Sequence, residues 1–210
     1  METAPIPYHP PRQKRSRESL ERLLDAAEEQ MSIVGLESFT VADVVRRADL
    51  SVGAFYARFP DKKALLHAVQ NRFHDRAEPL LHAEMRERCA GVEGLELTVD
   101  RLIDALTRHL TSNRELSRAF MMSSVFDPVM RARGERVNKE RREVFTAVLL
   151  AHREEIGHPD PVLAIDMAYG MYAAVVRGTL VFGLQHELYY DDMTFQTVFR
   201  EVKRALTLYL

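Results

Sequence analysis

The chemistry this chain is equipped for makes and breaks no covalent bonds. His67 and His74 stand seven residues apart on one expected helix with His82 beyond Pro79, a spacing that could in principle gather imidazoles around a metal; hydrogen bonding is the commoner use of such side chains, and no metal or other cofactor is expected. Cys89 is the only cysteine, which excludes an intrachain disulfide and a multi-cysteine zinc site alike. The sequence contains no Gly-rich phosphate loop, Gly-x-Ser-x-Gly elbow or His-Glu-x-x-His helix, so no enzyme is indicated. What stands out is Phe39 to Leu66, FTVADVVRRADLSVGAFYARFPDKKALL, where caps, small residues and cations follow one another at the spacing of two short helices.

Thr40 is positioned to cap the first of these helices, with Asp43 three residues on and Phe39 and Val44 bracketing the cap as a hydrophobic staple. Val41, Val44, Val45 and Ala48 give it an apolar face, Asp49 ends it, and Ser51 can cap a second helix after a short turn. Leu50 and Phe55 repeat the staple around Ser51, while Gly53 and Ala54 keep the second helix's outer face small enough for close approach to another surface. So short a helix is not stable alone and must be presented by its neighbours. Followed by Tyr56, Arg58, Lys62 and Lys63, it suits a groove lined by phosphates: the pattern of a helix-turn-helix.

Here the chain resembles the tetracycline-repressor (TetR) family of bacterial transcription regulators. Thr40, Ala48, Ser51, Gly53, Tyr56, Phe59 and Lys62 meet the family's pattern, over roughly residues 16 to 66. One departure is Asp49, where the family usually carries glycine; Asp can adopt the left-handed conformation at some cost, and its charge weakens phosphate attraction. The resemblance implies a sequence-specific regulator, a repressor released from a palindromic operator by a small, largely apolar effector. Ser51 would fix the recognition helix, with Val52, Gly53, Ala54 and Phe55 facing base edges and Tyr56, Arg58, Lys62 and Thr40 contacting phosphates. Phe55 has a competing reading as a core aromatic, the role expected of Phe59.

At 210 residues, 46% hydrophobic and 29% charged, the chain can bury a substantial core in one or two domains. Its net charge of −2 does not by itself suggest nucleic acid, and residues 1–63 hold as many acids as bases. Their distribution is more favourable. Arg12, Lys14, Arg15 and Arg17 form a basic arm, of which Arg15 and Arg17 are expected at DNA, whereas Glu18, Glu21, Asp25, Glu28 and Glu29 read as a solvated face of the first helix. The Pro-rich start reads as a disordered tail over 1–15. No long apolar run or signal-like segment indicates a membrane or secretion, so a cytoplasmic location is expected.

Apolar periodicity predicts an all-α protein, with a DNA-binding domain at 16–60 and a larger helical domain for effector binding and dimerisation at 61–210. Leu20, Leu23, Leu24, Ala27, Met31 and Val34 make a supporting helix stopped by Gly35. Asp61 can cap a helix carrying Leu65, Leu66, Val69 and Phe73, which Pro79 should kink or divide. Stripes follow at Val99, Leu102, Ile103, Leu106 and Leu110, over Leu116 to Phe126, and at Val137, Arg141, Val144, Phe145 and Val148. Residues 162–184 are apolar on nearly every face, predicting a helix buried on two sides, and Gly170, Ala174 and Gly178 form a ridge open to another helix. With Phe195, Val198, Phe199, Val202 and Leu206 on the last helix, this predicts a homodimer. The family resemblance likewise implies a four-helix interface there.

The same resemblance implies an effector cavity surrounded by Phe73, Leu102, Leu106, His109, Phe120, Met121, Met122, Phe126, Met167, Met171 and Tyr172, whose thioethers and rings suit an apolar ligand. Arg177 is a cation within an apolar helix and needs a partner: Asp166, an acid across the dimer, or an effector carboxylate. The competing classes are a helical enzyme or metal-binding protein, and an adaptor of the same fold that binds no DNA.

Overall fold

A computed structural model describes residues 14–181, 183 and 193–210. Among them every regular element is helical, as the periodicity predicts: α1 (Lys14–Ser38), α2 (Val41–Arg47), α3 (Val52–Tyr56), α4 (Lys62–Cys89), α5 (Leu95–Ser112), α6 (Arg114–Phe126), α7 (Pro128–Leu150), α8 (Pro161–Val181) and α9 (Phe195–Tyr209). Residues 1–13 of the expected tail, the side chain of Arg15, and Leu184 lie outside the described residues, and positions 14 and 15 of that tail belong to α1. The chain divides into two compact units, one of residues 1–76 with 115–134, the other of 77–114 with 135–210.

In the first unit, α1 buries Leu20, Leu23, Leu24, Ala27 and Met31 and loses helical geometry at Gly35, whose φ is 77°. The Thr40 Oγ1 accepts from the Asp43 amide at 3.1 Å and donates to the Asp43 carboxylate at 2.7 Å, so Asp43 answers the cap's hydroxyl. The Ser51 Oγ accepts from the Ala54 amide at 3.1 Å, opening α3 after the turn. Asp49 makes that turn at φ 52°, the left-handed region where glycine would be unstrained. The carboxylate of Asp61 caps α4 through the Ala64 amide at 2.7 Å. Phe39, Val44, Phe55, Phe59, Leu65 and Val69 close the core over these caps.

Of the two outcomes expected at Pro79, division does not occur, and α4 runs through it as one element. A proline removes one hydrogen bond of the ladder, and the rest of this long helix holds the element together.

In the second unit, α5 buries Val99, Leu102, Ile103, Leu106 and Leu110 and packs with α9. Its first turn is capped from outside. Glu155 Oε2 accepts from the Leu95 amide at 2.8 Å, and that bond, with His152 beside it, holds the Glu155 carboxyl below its ordinary pKa. The Lys203 ammonium of α9 bridges Asp100 and Asp104 on α5, which raises its pKa despite partial burial.

Within the single chain one side of α8 is buried, through Ala164, Ile165, Ala168, Tyr169, Tyr172, Val176 and Leu180, and Val162, Leu163, Met167 and Met171 stand exposed on the other, the side expected to meet a second subunit. An all-apolar helix carries no internal mark of which side faces in.

Candidate nucleic-acid interface

The first three helices present one small, exposed face. Ser51, Val52, Gly53 and Tyr56 are exposed and Ala54 is half-buried, with Tyr56 keeping 55% of its surface accessible. Phe55 is the exception among the residues expected at base edges. It is 0% exposed and packs its ring 5.6 Å from Phe59, so it belongs to the core that holds α3 in place. A β-carbon built on Gly53 would meet only the Ser51 Oγ, at 3.8 Å. Nothing within the described residues therefore demands glycine there, and the missing side chain matters to whatever approaches from outside.

The expected phosphate contacts separate into two sets. Arg17 and Thr40 are exposed. Arg58 is not available in the same way: its guanidinium donates to the Ala54 carbonyl, the Ser16 carbonyl and hydroxyl, and the Ser19 hydroxyl at 2.7 Å, tying α3 back to the start of α1. Its reading as a phosphate ligand is corrected to that of a strut. Lys62 is half-committed, since its Nζ donates to the Phe39 carbonyl at 2.7 Å and lies 4.0 Å above the Phe39 ring, and desolvation lowers its pKa. Sequence reasoning missed Arg46, an exposed cation on α2 whose Nη2 pairs with Asp43 at 2.6 Å. Its signal was its position opposite Val44 and Val45 on the α2 helix.

The acids of α1 are also corrected. Glu21, Asp25 and Glu28 are not a merely solvated face: they surround the Arg72 guanidinium of α4 at 2.8–2.9 Å, and Arg76 also reaches Glu28. Burial opposes the Arg72 charge, but these carboxylates raise its pKa above the ordinary value. Glu29 pairs with Arg47 of α2. The acids thus brace α1 against α2 and α4 through paired charges.

The residues expected around an effector fall in both units. In the first, Phe73 and Phe120 are buried with ring centroids 5.4 Å apart, Met121 is half-buried, and Met122 and Phe126 are exposed, Phe126 to 85%. In the second, Leu102, Leu106 and Tyr172 are buried, and His109 lies 3.2 Å from Arg141. Met167 and Met171 stand on the exposed side of α8 and are not brought to these residues. Arg177 is exposed within the single chain. On α9, Val198, Phe199 and Leu206 are buried and Phe195 and Val202 half-buried, with Phe199 against Tyr172 at 6.3 Å. These are core positions of the unit, while Gly170, Ala174 and half-buried Gly178 lie towards the open side of α8, where a β-carbon on either glycine would meet nothing within 4 Å.

Helix-turn-helix geometry at the amino terminus, followed by an all-helical remainder, defines the class as a helix-turn-helix protein. Residues 23–69 match the sequence model of the bacterial regulatory proteins of the tetR family. An HTH-type transcriptional regulator of Bacillus subtilis strain 168, YvdT, is 34% identical over 94 residues, 43% of this chain and 45% of that protein. A second from the same organism, YdgC, is 26% identical over 101 residues, 48% of this chain and 52% of that protein. The chain thus spans about half the length of these relatives, both named as uncharacterized. Among solved structures, a TetR-family regulator from Mesorhizobium loti superposes with a TM-score of 0.69 at 16% identity, covering 94% of this chain and 98% of that one. GusR of Salmonella enterica gives 0.63 at 24% identity, covering 91% and 95%. At those identities the likeness establishes the fold. Among the described residues no helix is long and apolar enough to cross a membrane, and no group of His, Cys, Asp and Glu is placed to hold a metal ion.

Proposed function

We propose that this chain is a sequence-specific DNA-binding transcriptional regulator, a homodimeric repressor acting in the cytoplasm and released from a palindromic operator by a small, largely apolar effector. The observation that carries the reading is the exposed, small face of α3, fixed by the Ser51 cap beneath it and by buried Phe55 behind it. Val52, Gly53 and Ala54 face base edges and thymine methyls; Tyr56, Arg17, Thr40, Lys62 and Arg15 serve phosphates. Residues 16–60 form the DNA-binding domain and 61–210 the effector-binding and dimerisation domain.

The dimer forms through the open side of α8, where Gly170, Ala174 and Gly178 admit close approach and Leu163, Met167 and Met171 supply apolar area. Two motifs related by a dyad then read half-sites separated by about 34–36 Å or a multiple. Leu102, Leu106, His109 and Tyr172 of the second unit supply effector contacts. An effector shifts the protein off DNA only by favouring the arrangement that DNA does not, and the coupling is reciprocal. No catalytic role is part of this reading.

Selection of bound duplexes from a random pool tests it. Enrichment of a near-palindromic site, bound by the parent and lost in Ala54→Glu, is the expected result. A folded parent that enriches nothing is an adaptor of the same fold and not a regulator.

A further inference from the structure

Inside the second unit lies an ion pair that none of the roles above employs. Glu78 of α4 is buried, and its Oε2 accepts from Arg141 Nε of α7 at 2.6 Å while its Oε1 accepts from Nη2 of the same guanidinium. His109 Nε2 approaches Glu78 Oε1 at 3.8 Å and His82 Nε2 approaches Oε2 at 4.0 Å, both from the flanks of the pair. Burial opposes the charge on Arg141, and the hydrogen bonds and charge of Glu78 nonetheless hold its pKa above the ordinary value, so the guanidinium is a fixed cation.

Stability is a poor account of such a pair, because apolar residues of equal volume commonly serve a core as well or better. Two atoms point elsewhere. The Nε2 of His82 is sealed from solvent without a hydrogen-bond partner among the described residues. Arg141 spends Nε and Nη2 on Glu78 and His109, and among the described residues Nη1 finds no acceptor. Yet this deeply surrounded side chain keeps 24% of its surface accessible. Two N–H donors on a permanent cation thus face outward with no acceptor among the described residues.

We infer that Arg141, oriented by Glu78, anchors the carboxylate of an amphipathic organic acid, with His109 and Tyr172 beside the head group and apolar core side chains around the body of the ligand. The inference rests on the effector-binding reading of this unit and gives that effector a chemical class. Arg141 Nη1 can donate to a carboxylate, and such a charge-assisted bond is stronger than one to a neutral oxygen. Because Glu78 already balances Arg141, a bare inorganic anion gains little, and the apolar body must contribute binding of its own. A cationic ligand is disfavoured, since Arg141 occupies both oxygens of the Glu78 carboxylate.

Octanoate, decanoate and phenylacetate, each compared with the alcohol of the same skeleton, test this on the full chain by thermal shift and calorimetry. At least one acid should bind about tenfold or more tightly than its alcohol. In the double variant Glu78→Leu, Arg141→Met, which removes the pair without stranding a charge, that preference should fall below about twofold while the alcohol binds as before. Glu78→Gln, which keeps the anchor and removes the competing carboxylate, should tighten the acid several-fold. Acids that bind no better than alcohols, no binding by any acid, or a preference that survives the double variant each overturn the inference. Where the double variant fails to fold by circular dichroism, Glu78→Gln decides: no tightening rejects the anchor. The selected DNA separates the two readings, since a chain that binds DNA but no acid loses only this inference, and one that binds an acid but no DNA loses only the regulator.

Discussion

His67 Nε2 of α4 lies 2.7 Å from Asp127 Oδ2, and this contact joins α4 to the junction of α6 and α7 within the first unit. The same carboxylate accepts from the Val129 and Met130 amides at the start of α7 and takes the Lys63 ammonium at 3.2 Å. Arg133 adds a second tie, donating to the Gln70 side chain and the His67 carbonyl.

That network should make the first unit sensitive to acid. Burial works to raise the Asp127 pKa, but His67, the Met130 amide and Lys63 outweigh it and lower the value from 3.8 to about 2. Since the folded carboxyl binds its proton less tightly than the unfolded one, its stabilisation is full above about pH 4 and is lost as the pH falls towards 2. Asp127→Asn should therefore be less stable than the parent at pH 6, with the gap closing across that window. Urea melts at stepped pH measure it, and a constant gap would contradict the network.

Arg58 and Lys62 should respond in opposite ways. Arg58→Ala removes the strut from α3 to Ser16 and Ser19, so it should lower stability by about 1–3 kcal/mol and leave the salt dependence of DNA binding unchanged. Lys62→Ala should weaken binding across all sequences and flatten the salt slope by roughly one unit with little loss of stability. Denaturant melts and binding at several salt concentrations distinguish them. Equal slopes for both variants would remove Lys62 from the interface.

Asp49→Gly should stabilise the domain. The left-handed turn costs a non-glycine residue about 1–2 kcal/mol, part of which glycine returns through its freer unfolded chain, leaving a gain of roughly half to one kcal/mol. The partner lost is modest, an Arg22 contact at 3.9 Å between largely exposed side chains. A rise in the melting temperature, together with tighter DNA binding once the acid is gone, is the expected outcome.

Met167→Glu tests the dimer on the open side of α8. It should shift sedimentation towards monomer with the helical spectrum unchanged, and Gly170→Leu should do the same by overpacking. Leu206→Ala should instead cost about 2–5 kcal/mol of folding stability, because that side chain is buried within its own unit. A Met167→Glu protein that sediments like the parent places the interface elsewhere.

The helix-turn-helix was legible because its signals are local. Thr40 and Asp43, Ser51 and Ala54, and Asp61 and Ala64 are caps closed within three residues, and each forms as its spacing predicts. Phe55 was not settled, because a helix of five residues has too few turns for periodicity to tell the face beside Phe59 from the face beside Gly53. The apolar surround of Arg177 suggested burial, but in a helix hydrophobic all round the open side looks like the packed one. The ties made by Arg58 and Arg141 were not legible because their partners lie far off in sequence, Ser16 and Ser19 for one and Glu78 for the other. The one local hint was a cation at position 141 inside the stripe of Val137, Val144 and Phe145.

The proposed dimer would also make the amount of protein a regulatory quantity. If a second copy covers the exposed Val162, Leu163, Met167 and Met171, the number of functional particles follows a power of concentration higher than the first. Scarce chains would remain single, with one half-site reader each. As they accumulate, paired readers rise more steeply than total protein, so occupancy of a two-half-site operator sharpens into a threshold that a monomer could not produce.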